Sequence, residues 1–257
     1  MNVKTICKKS FFAKWFITGC FFVLTLFNSS CGLDTYYEIE APATILHEPS
    51  YNSAYDERYF EFMTNEVVNS ENQGFSFTGT NIYYRIYDDI SELNNDRTRL
   101  QNLASSNDVN AINSAAYSLI QPKGNGYGYC LLNTVENREA ATLIPSRASD
   151  RRIKIRLTNY GTVSEFRSYL DIEDGPTYTP LRENGKSFDF GRNGSRDGMP
   201  VQGDIDYSYS NNTNSNPTIK YVALYALAVG HDAPYSNYYS NIFYIGTVSI
   251  DSSTPDN

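Results

Sequence analysis

His47 and His231 are the only histidines of this 257-residue chain, and they do not stand at the spacing of a zinc site with each other or with Cys130. Cys130 lies in the apolar run Tyr129-Cys130-Leu131-Leu132, which predicts a buried, inert thiol rather than a nucleophile. His231-Asp232 has no serine partner in a Gly-x-Ser-x-Gly elbow anywhere in the chain. Gly124-Asn125-Gly126-Tyr127-Gly128 has the glycines of a phosphate loop, but a strand pattern follows it, and phosphate binding needs the N-terminus of a helix. Asp171, Glu173, Asp174, Asp204 and Asp206 are the densest carboxylates, a stock that suits a hydrolase pair or simply an acidic surface. The expectation is a chain with no catalytic residues, no cofactor and no resident metal.

Two loops hold the remaining candidates. Asn193, Ser195, Asp197 and Asp204, with Gly198 in sixth place, follow the oxygen spacing of an EF-hand calcium loop. The first ligand is uncharged, the last is Asp rather than Glu, and both flanks read as strands, so a glycine-rich hairpin loop is the plainer reading. The segment Pro234-Tyr235-Ser236-Asn237-Tyr238-Tyr239-Ser240 joins two strands and has paratope chemistry, rigid amphipathic rings beside adaptable polar groups. Tyr235, Tyr238 and Tyr239 are therefore the candidate binding residues, for a protein or glycan ligand. The plain alternative packs them over the end of the fold.

The elements that must position these residues are mostly strands. Phe60 and Phe62 alternate within 59–64, and a short β-like piece covers 74–78. Ile82, Tyr84 and Ile86 share one face of a strand over 81–87. Leu93 and Leu100 then recur at helical spacing, and Val109, Ile112, Ala116 and Leu119 do so again, which predicts a helical insertion at about 90–120 across the end of a sheet. Strands resume at 127–133 and at 152–157, where Ile153, Ile155 and Leu157 point inward and Arg152, Lys154 and Arg156 outward. Those cations suit an acidic partner, or a solvated face balanced by nearby acids. Further strands are expected around Phe188 and Phe190, around Ile205, Tyr207 and Tyr209, over 219–229, and over 241–250. Short alternating strands between turn residues predict a mainly β chain, an antiparallel β-sandwich with a small helical insertion.

The beginning of the chain reads differently. Lys8-Lys9 and Lys14 precede an apolar run over 15–27, followed by Asn28-Ser29-Ser30-Cys31. This is the pattern of an export signal, too short to cross a roughly 30 Å hydrocarbon core as a helix. Its removal takes away Lys4, Lys8, Lys9 and Lys14 and no acid, so Lys plus Arg falls from 21 to 17 against 29 acids, and the net charge moves from −8 to −12. So acidic a domain repels nucleic acid and anionic head groups. Cys7 and Cys20 leave with the signal, so no disulfide framework remains. The organisation expected is a signal over 1–30, a Pro-containing tether over 31–56 that ends in a first edge strand over 41–46, and a β-sandwich domain over 57–257.

Ser29-Ser30-Cys31 resembles the processing box of bacterial lipoproteins, and the surrounding Ser29-Ser30-Cys31-Gly32-Leu33-Asp34 is similar to those of the spirochaete (treponemal) type. The resemblance implies a mature chain that starts at an acylated Cys31 and is anchored through its N-terminal lipid in the cell envelope, in the outer membrane or at the cell surface rather than on the periplasmic face of the inner membrane. Asn28 departs from the usual aliphatic position of the box, and Ile17-Thr18-Gly19-Cys20 fits that box but lies inside the apolar run. A second resemblance is to the fibronectin type III (Ig-like) sandwich. Residues 79–85 look like that family's third strand, and 220–229 with 240–242 look like its last two, with Tyr221 or Tyr225 as the tyrosine corner. That family's early core tryptophan has no counterpart, because Trp15 is the sole tryptophan. The functional expectation is a lipid-anchored, non-enzymatic binding or structural module. A small-solute or carbohydrate receptor and an envelope hydrolase are the alternatives.

Overall fold

The computed structural model describes residues 38–50, 54–71, 75–104, 116, 119, 128–136, 142–160, 167–191, 198–210, 218–232 and 236–252. The chain divides into two compact units, Met1–Tyr36 and Tyr37–Asn257, and all described residues belong to the second.

In chain order the elements are β1 (Thr44–His47), β2 (Phe60–Met63), the short helix α1 (Glu66–Ser70), β3 (Phe75–Tyr87), the helix α2 (Ile90–Ala104), β4 (Cys130–Leu131), β5 (Asn133–Thr134), β6 (Ile144–Pro145), β7 (Arg152–Arg156), β8 (Tyr169–Ile172), β9 (Thr177–Tyr178), β10 (Pro180–Leu181), β11 (Tyr207–Ser208), β12 (Ile219–Asp232), β13 (Asn237–Tyr239) and β14 (Phe243–Asp251). One antiparallel sheet has the order β1-β2-β7-β8-β9. The other is built on β3 and β12, antiparallel from Tyr221↔Tyr87 to Asp232↔Phe75. The far side of β12 carries β14 and then β13, end to end. The far side of β3 carries β6, β4 and β11 in series. A two-stranded ribbon, β5 with β10, completes the pairing.

The alternation read from the sequence decides how these sheets pack. Phe60 and Phe62 of β2 and Ile153 and Ile155 of β7 face Ile82, Tyr84 and Ile86 of β3 and Val222, Leu224 and Ala226 of β12 in one buried core. This makes the chain a mainly β protein, a sandwich with a small helical part. Intervening residues of the second sheet point the other way, because the side-chain period of a strand is two. Tyr83, Tyr87, Ala223, Tyr225 and Leu227 form a second buried layer with Leu93 and Leu100 of α2, joined by Ala116 and Leu119. A strand buried on both faces reads as a near-continuous apolar run, which explains 219–229. The helix therefore covers the sheet's outer face and does not lie across its end. Asp89 starts it, accepting the Ser91 backbone N–H at 2.7 Å as an N-cap does.

Several expectations need correction. The pieces expected over 74–78 and 81–87 join, from residue 75 on, in one strand, β3, which kinks at Gly79. Gly79 has φ +136, and a Cβ there would stand 2.1 Å from the Ile144 carbonyl oxygen, so only glycine lets β6 pair at this point. Phe188 and Phe190 are core residues on irregular chain, not a strand, and Phe190 holds φ +50. The edge strand expected over 41–46 forms as β1, paired with β2, and the chain just before it is packed as well. Ile39 is 5% exposed and packs on Phe77 and Ala228. Asn69 brackets Glu40 through both its N–H (2.8 Å) and its C=O (2.9 Å). Residues 38–50 thus belong to the fold, held by buried apolar area and paired backbone groups. Of the segments that look like fibronectin strands, 79–85 and 220–229 lie side by side, antiparallel, in β3 and β12, whereas 240–242 precede β14. Against strict antiparallel order, β11 joins β3 in parallel, over Tyr207↔Ile86 and Ser208↔Tyr87. Among the described residues no helix is long and apolar enough to cross a membrane.

Candidate functional site

The inward stripe of β3 contains a phenol, Tyr84, among aliphatic neighbours, and a buried phenol requires a hydrogen-bond partner. Its OH donates to Asp206 Oδ2 at 2.6 Å and accepts the Glu183 backbone N–H at 2.6 Å. Asp206 is 2% exposed and is held by Arg182 in a two-point fork, Nε to Oδ2 at 3.0 Å and a terminal nitrogen to Oδ1 at 2.8 Å. Arg182, 1% exposed, also donates to the Gly198 carbonyl at 2.7 Å and to Asp204 Oδ2 at 2.9 Å. Lys186 closes the group on Asp204 Oδ1 at 2.8 Å. Burial opposes the charge on Arg182, but Asp206 and then Asp204 outweigh it, and its pKa is raised. Burial likewise pushes Asp204 upward, yet Lys186, Arg182 and the Val201 N–H carry its carboxyl below the usual range. This network ties the 182–206 segment to the core. Sequence reading missed Arg182. The available signal was Tyr84 on an apolar stripe together with Asp206 between Ile205 and Tyr207.

A second polar hub fastens α2. Asp96 accepts the Tyr129 and Tyr87 hydroxyls at 2.8 and 2.9 Å and Arg99 Nε at 3.1 Å. Arg85 reaches Asp96 at 3.4 Å and Ser208 Oγ at 3.0 Å. Burial, then Asp96, hold the Tyr129 phenol well above its ordinary value and neutral.

The sequence candidates are not brought together. His47 stacks on Tyr59 with centroids 3.9 Å apart and bonds Glu57 Oε2 at 2.9 Å, on the first sheet. His231 lies on β12 of the other sheet. Among the described residues no group of three His, Cys, Asp or Glu is placed to hold a metal. Of the calcium candidates, Asn193, Ser195 and Asp197 lie outside the described residues, and Asp204 has both oxygens committed to cations. A calcium ion there would have to displace Arg182 and Lys186. Cys130 is 8% exposed, and burial, then Asp206 and Glu183, push its thiol up to about 12. Arg152 and Lys154 stand among acids, with Glu61 and Asp171 paired across from Lys154. Arg156 shares the face of Arg152 and Lys154 but is covered there, 4% exposed, its guanidinium 5.5 Å from the Tyr169 ring.

The tyrosine loop is largely a strand. Tyr235 lies outside the described residues, while Tyr238 and Tyr239 are on β13, paired with Gly230 and Val229. Neighbours on a strand face opposite ways, so the two rings do not share a surface. Tyr238 packs edge-on against Phe75 (6.0 Å) and donates to Asp232 at 3.2 Å. Tyr239 packs into the outer layer under α2. Tyr225, expected at a corner, is in that layer between Tyr129 and Tyr244, 5.3 and 5.4 Å away.

A concave site lies among the described residues. Glu48, Pro49 and Ser50, Arg97 of α2, and Tyr244 and Thr247 of β14 line a cleft of about 330 Å³. Comparison of the chain with protein-family models, with curated proteins and with solved structures finds no match.

Proposed function

We propose that this chain is a lipid-anchored lipoprotein of a bacterial cell envelope that acts as a non-enzymatic binding or structural module. The observation that carries the reading is the run Lys8–Cys31, basic residues and an apolar stretch too short to span a bilayer, closed by small residues and a cysteine. Acylation of Cys31 on sulfur and amino group supplies the two or more chains that stable anchoring requires. The anchor is in the outer membrane or at the cell surface. The way the carboxylates are used supports the non-enzymatic part. Asp204 and Asp206 are bonded to Arg182 and Lys186, Glu173 accepts the Arg152 backbone N–H at 2.9 Å, and Asp171 accepts Thr177 Oγ1 at 2.8 Å. The rival reading, a small-solute or carbohydrate receptor, draws on the cleft between Glu48, Arg97 and Tyr244.

Labelled palmitate fed to cells expressing the full chain tests the anchor. Label on the wild-type protein, its loss in Cys31→Ser and release of that variant into the soluble fraction are the expected result. A label retained by Cys31→Ser, or none on either protein, overturns the reading. Protease added to intact cells, with a periplasmic lipoprotein as control, then separates surface exposure from the periplasm.

A further inference from the structure

The cleft has a built floor and two walls of opposite charge. Its floor is β14, with Tyr244 and the buried Thr247 joined by a 2.7 Å hydroxyl–hydroxyl bond. Between them Gly246 has φ +150, and a Cβ there would stand 2.7 Å from Glu48 Cγ and 3.1 Å from the Phe60 ring. The missing side chain is what lets Glu48 lie against the strand. Glu48 forms one wall with Pro49 and Ser50. Arg97 comes from α2 on the other side, with its guanidinium 5.5 Å from the Tyr244 ring centroid. The two charged groups sense each other: partial burial raises the Glu48 pKa and Arg97 pulls it back.

We propose that this cleft binds a neutral, polyhydroxylated ligand of one ring, a sugar residue either free or at the end of a glycan. Size supports one ring, because about 330 Å³ is at the small end of the roughly 300–1,000 Å³ of small-molecule sites. The lining chemistry supports hydroxyls. Arg97 only donates, an ionised Glu48 only accepts, and Ser50, Thr247 and Tyr244 do both. A sugar offers a donor and an acceptor at every hydroxyl, so planar groups of opposite type can each take a neighbouring pair. Charge decides against the other classes. An anion meets Glu48 and a domain with far more acids than bases, 29 Asp plus Glu against 21 Lys plus Arg in the whole chain. A cation meets Arg97. Only Pro49 and the Tyr244 ring offer apolar surface, too little for a hydrophobic ligand but suited to the C–H face of a sugar.

The proposal names the ligand class of the receptor reading above and rests on that reading, but the two fail separately, because binding of acetate or glycine alone overturns the sugar and leaves a small-solute receptor. Palmitate labelling reports the anchor whether or not a sugar binds. Conversion of a bound sugar into a new product would sink the non-enzymatic reading and leave the cleft standing. The test is saturation-transfer NMR on the purified protein with free hexoses, N-acetylhexosamines and their methyl glycosides, with acetate as the anion and glycine as the zwitterion. The expected result is saturable transfer to the ring protons of at least one neutral sugar. Binding should weaken about tenfold or more in Arg97→Met and in Glu48→Gln, because each loses a hydrogen bond to a charged group. A free hexose that binds as well as its methyl glycoside identifies a free-sugar site, whereas preference for the glycoside identifies a glycan terminus. Glu48 is exposed, so Glu48→Gln keeps the fold even if Arg97→Met does not, and the thermal transition of each variant checks this. No transfer to any sugar, binding unchanged in folded Glu48→Gln, or binding of acetate or glycine alone overturns the proposal.

Discussion

Replacing Arg182 by Met should destabilise the domain more than almost any other single change. Arg182 is 1% exposed and Asp206 is 3% exposed at its side chain. The substitution removes the cation and its four donated bonds, to Asp206 twice, to Asp204 and to the Gly198 carbonyl. Asp204 keeps Lys186. Of the side-chain hydrogen bonds described above, Asp206 keeps the one from the Tyr84 hydroxyl, and its charge is then stranded in the core. Summing charged hydrogen bonds at about 1.5–3 kcal/mol each overshoots, since the site relaxes. The better guide is the cost of removing one partner of a buried pair, about 3–5 kcal/mol. For a domain of this size that is a fall in Tm of roughly 6–20 °C. Thermal and urea unfolding followed by circular dichroism measure it, for Arg182→Met, Asp206→Asn and the double variant. The double variant should be more stable than the sum of the two losses by about 2 kcal/mol or more, because no buried charge is left unpaired. A loss below about 1 kcal/mol, or strict additivity in the cycle, would refute the assignment of this network as a buried ionic tie.

Three further outcomes are expected. Asp204 has a depressed folded pKa, so its contribution is complete above about 3.9 and is lost as pH falls through the folded value; urea midpoints at pH 5 and pH 3 should differ less in Asp204→Asn than in the wild type. Gly79→Ala puts a methyl group 2.1 Å from the Ile144 carbonyl at a φ of +136, and should cost at least about 2 kcal/mol in urea unfolding, with an unchanged midpoint counting against the kink. Cys130, with its thiol pushed up to about 12, should be alkylated by iodoacetamide at pH 8 about a thousandfold more slowly than in 6 M urea, read from its peptide by mass spectrometry.

The stripes Ile82-Tyr84-Ile86 and Ile153-Ile155-Leu157 were legible, because a period of two against a buried face needs no knowledge of the partner. The long apolar run of β12 was legible too, as was the burial of Cys130. The site was less legible. Tyr238 and Tyr239 have the composition of a paratope, yet their backbone pairs with Gly230 and Val229, which sends the rings to opposite faces. Nothing local records that pairing. The cleft was not legible at all, since Glu48, Arg97 and Tyr244 are far apart in the chain and none sits in a motif.

The sequence by itself determined the alternation, the mainly β class, the acidic balance and the basic and apolar run before Cys31, because each depends on residue type and near neighbours alone. Only the tertiary structure decided that α2 covers a sheet face, that the fold already includes Ile39, and that Arg182, Asp206 and Tyr84 meet in the core. Those outcomes depend on which distant strands pair, and a buried charge reveals its role only when its partner is in place. The same physics that places Gly246 beside Glu48 shapes the cleft, and neither residue alone announces it.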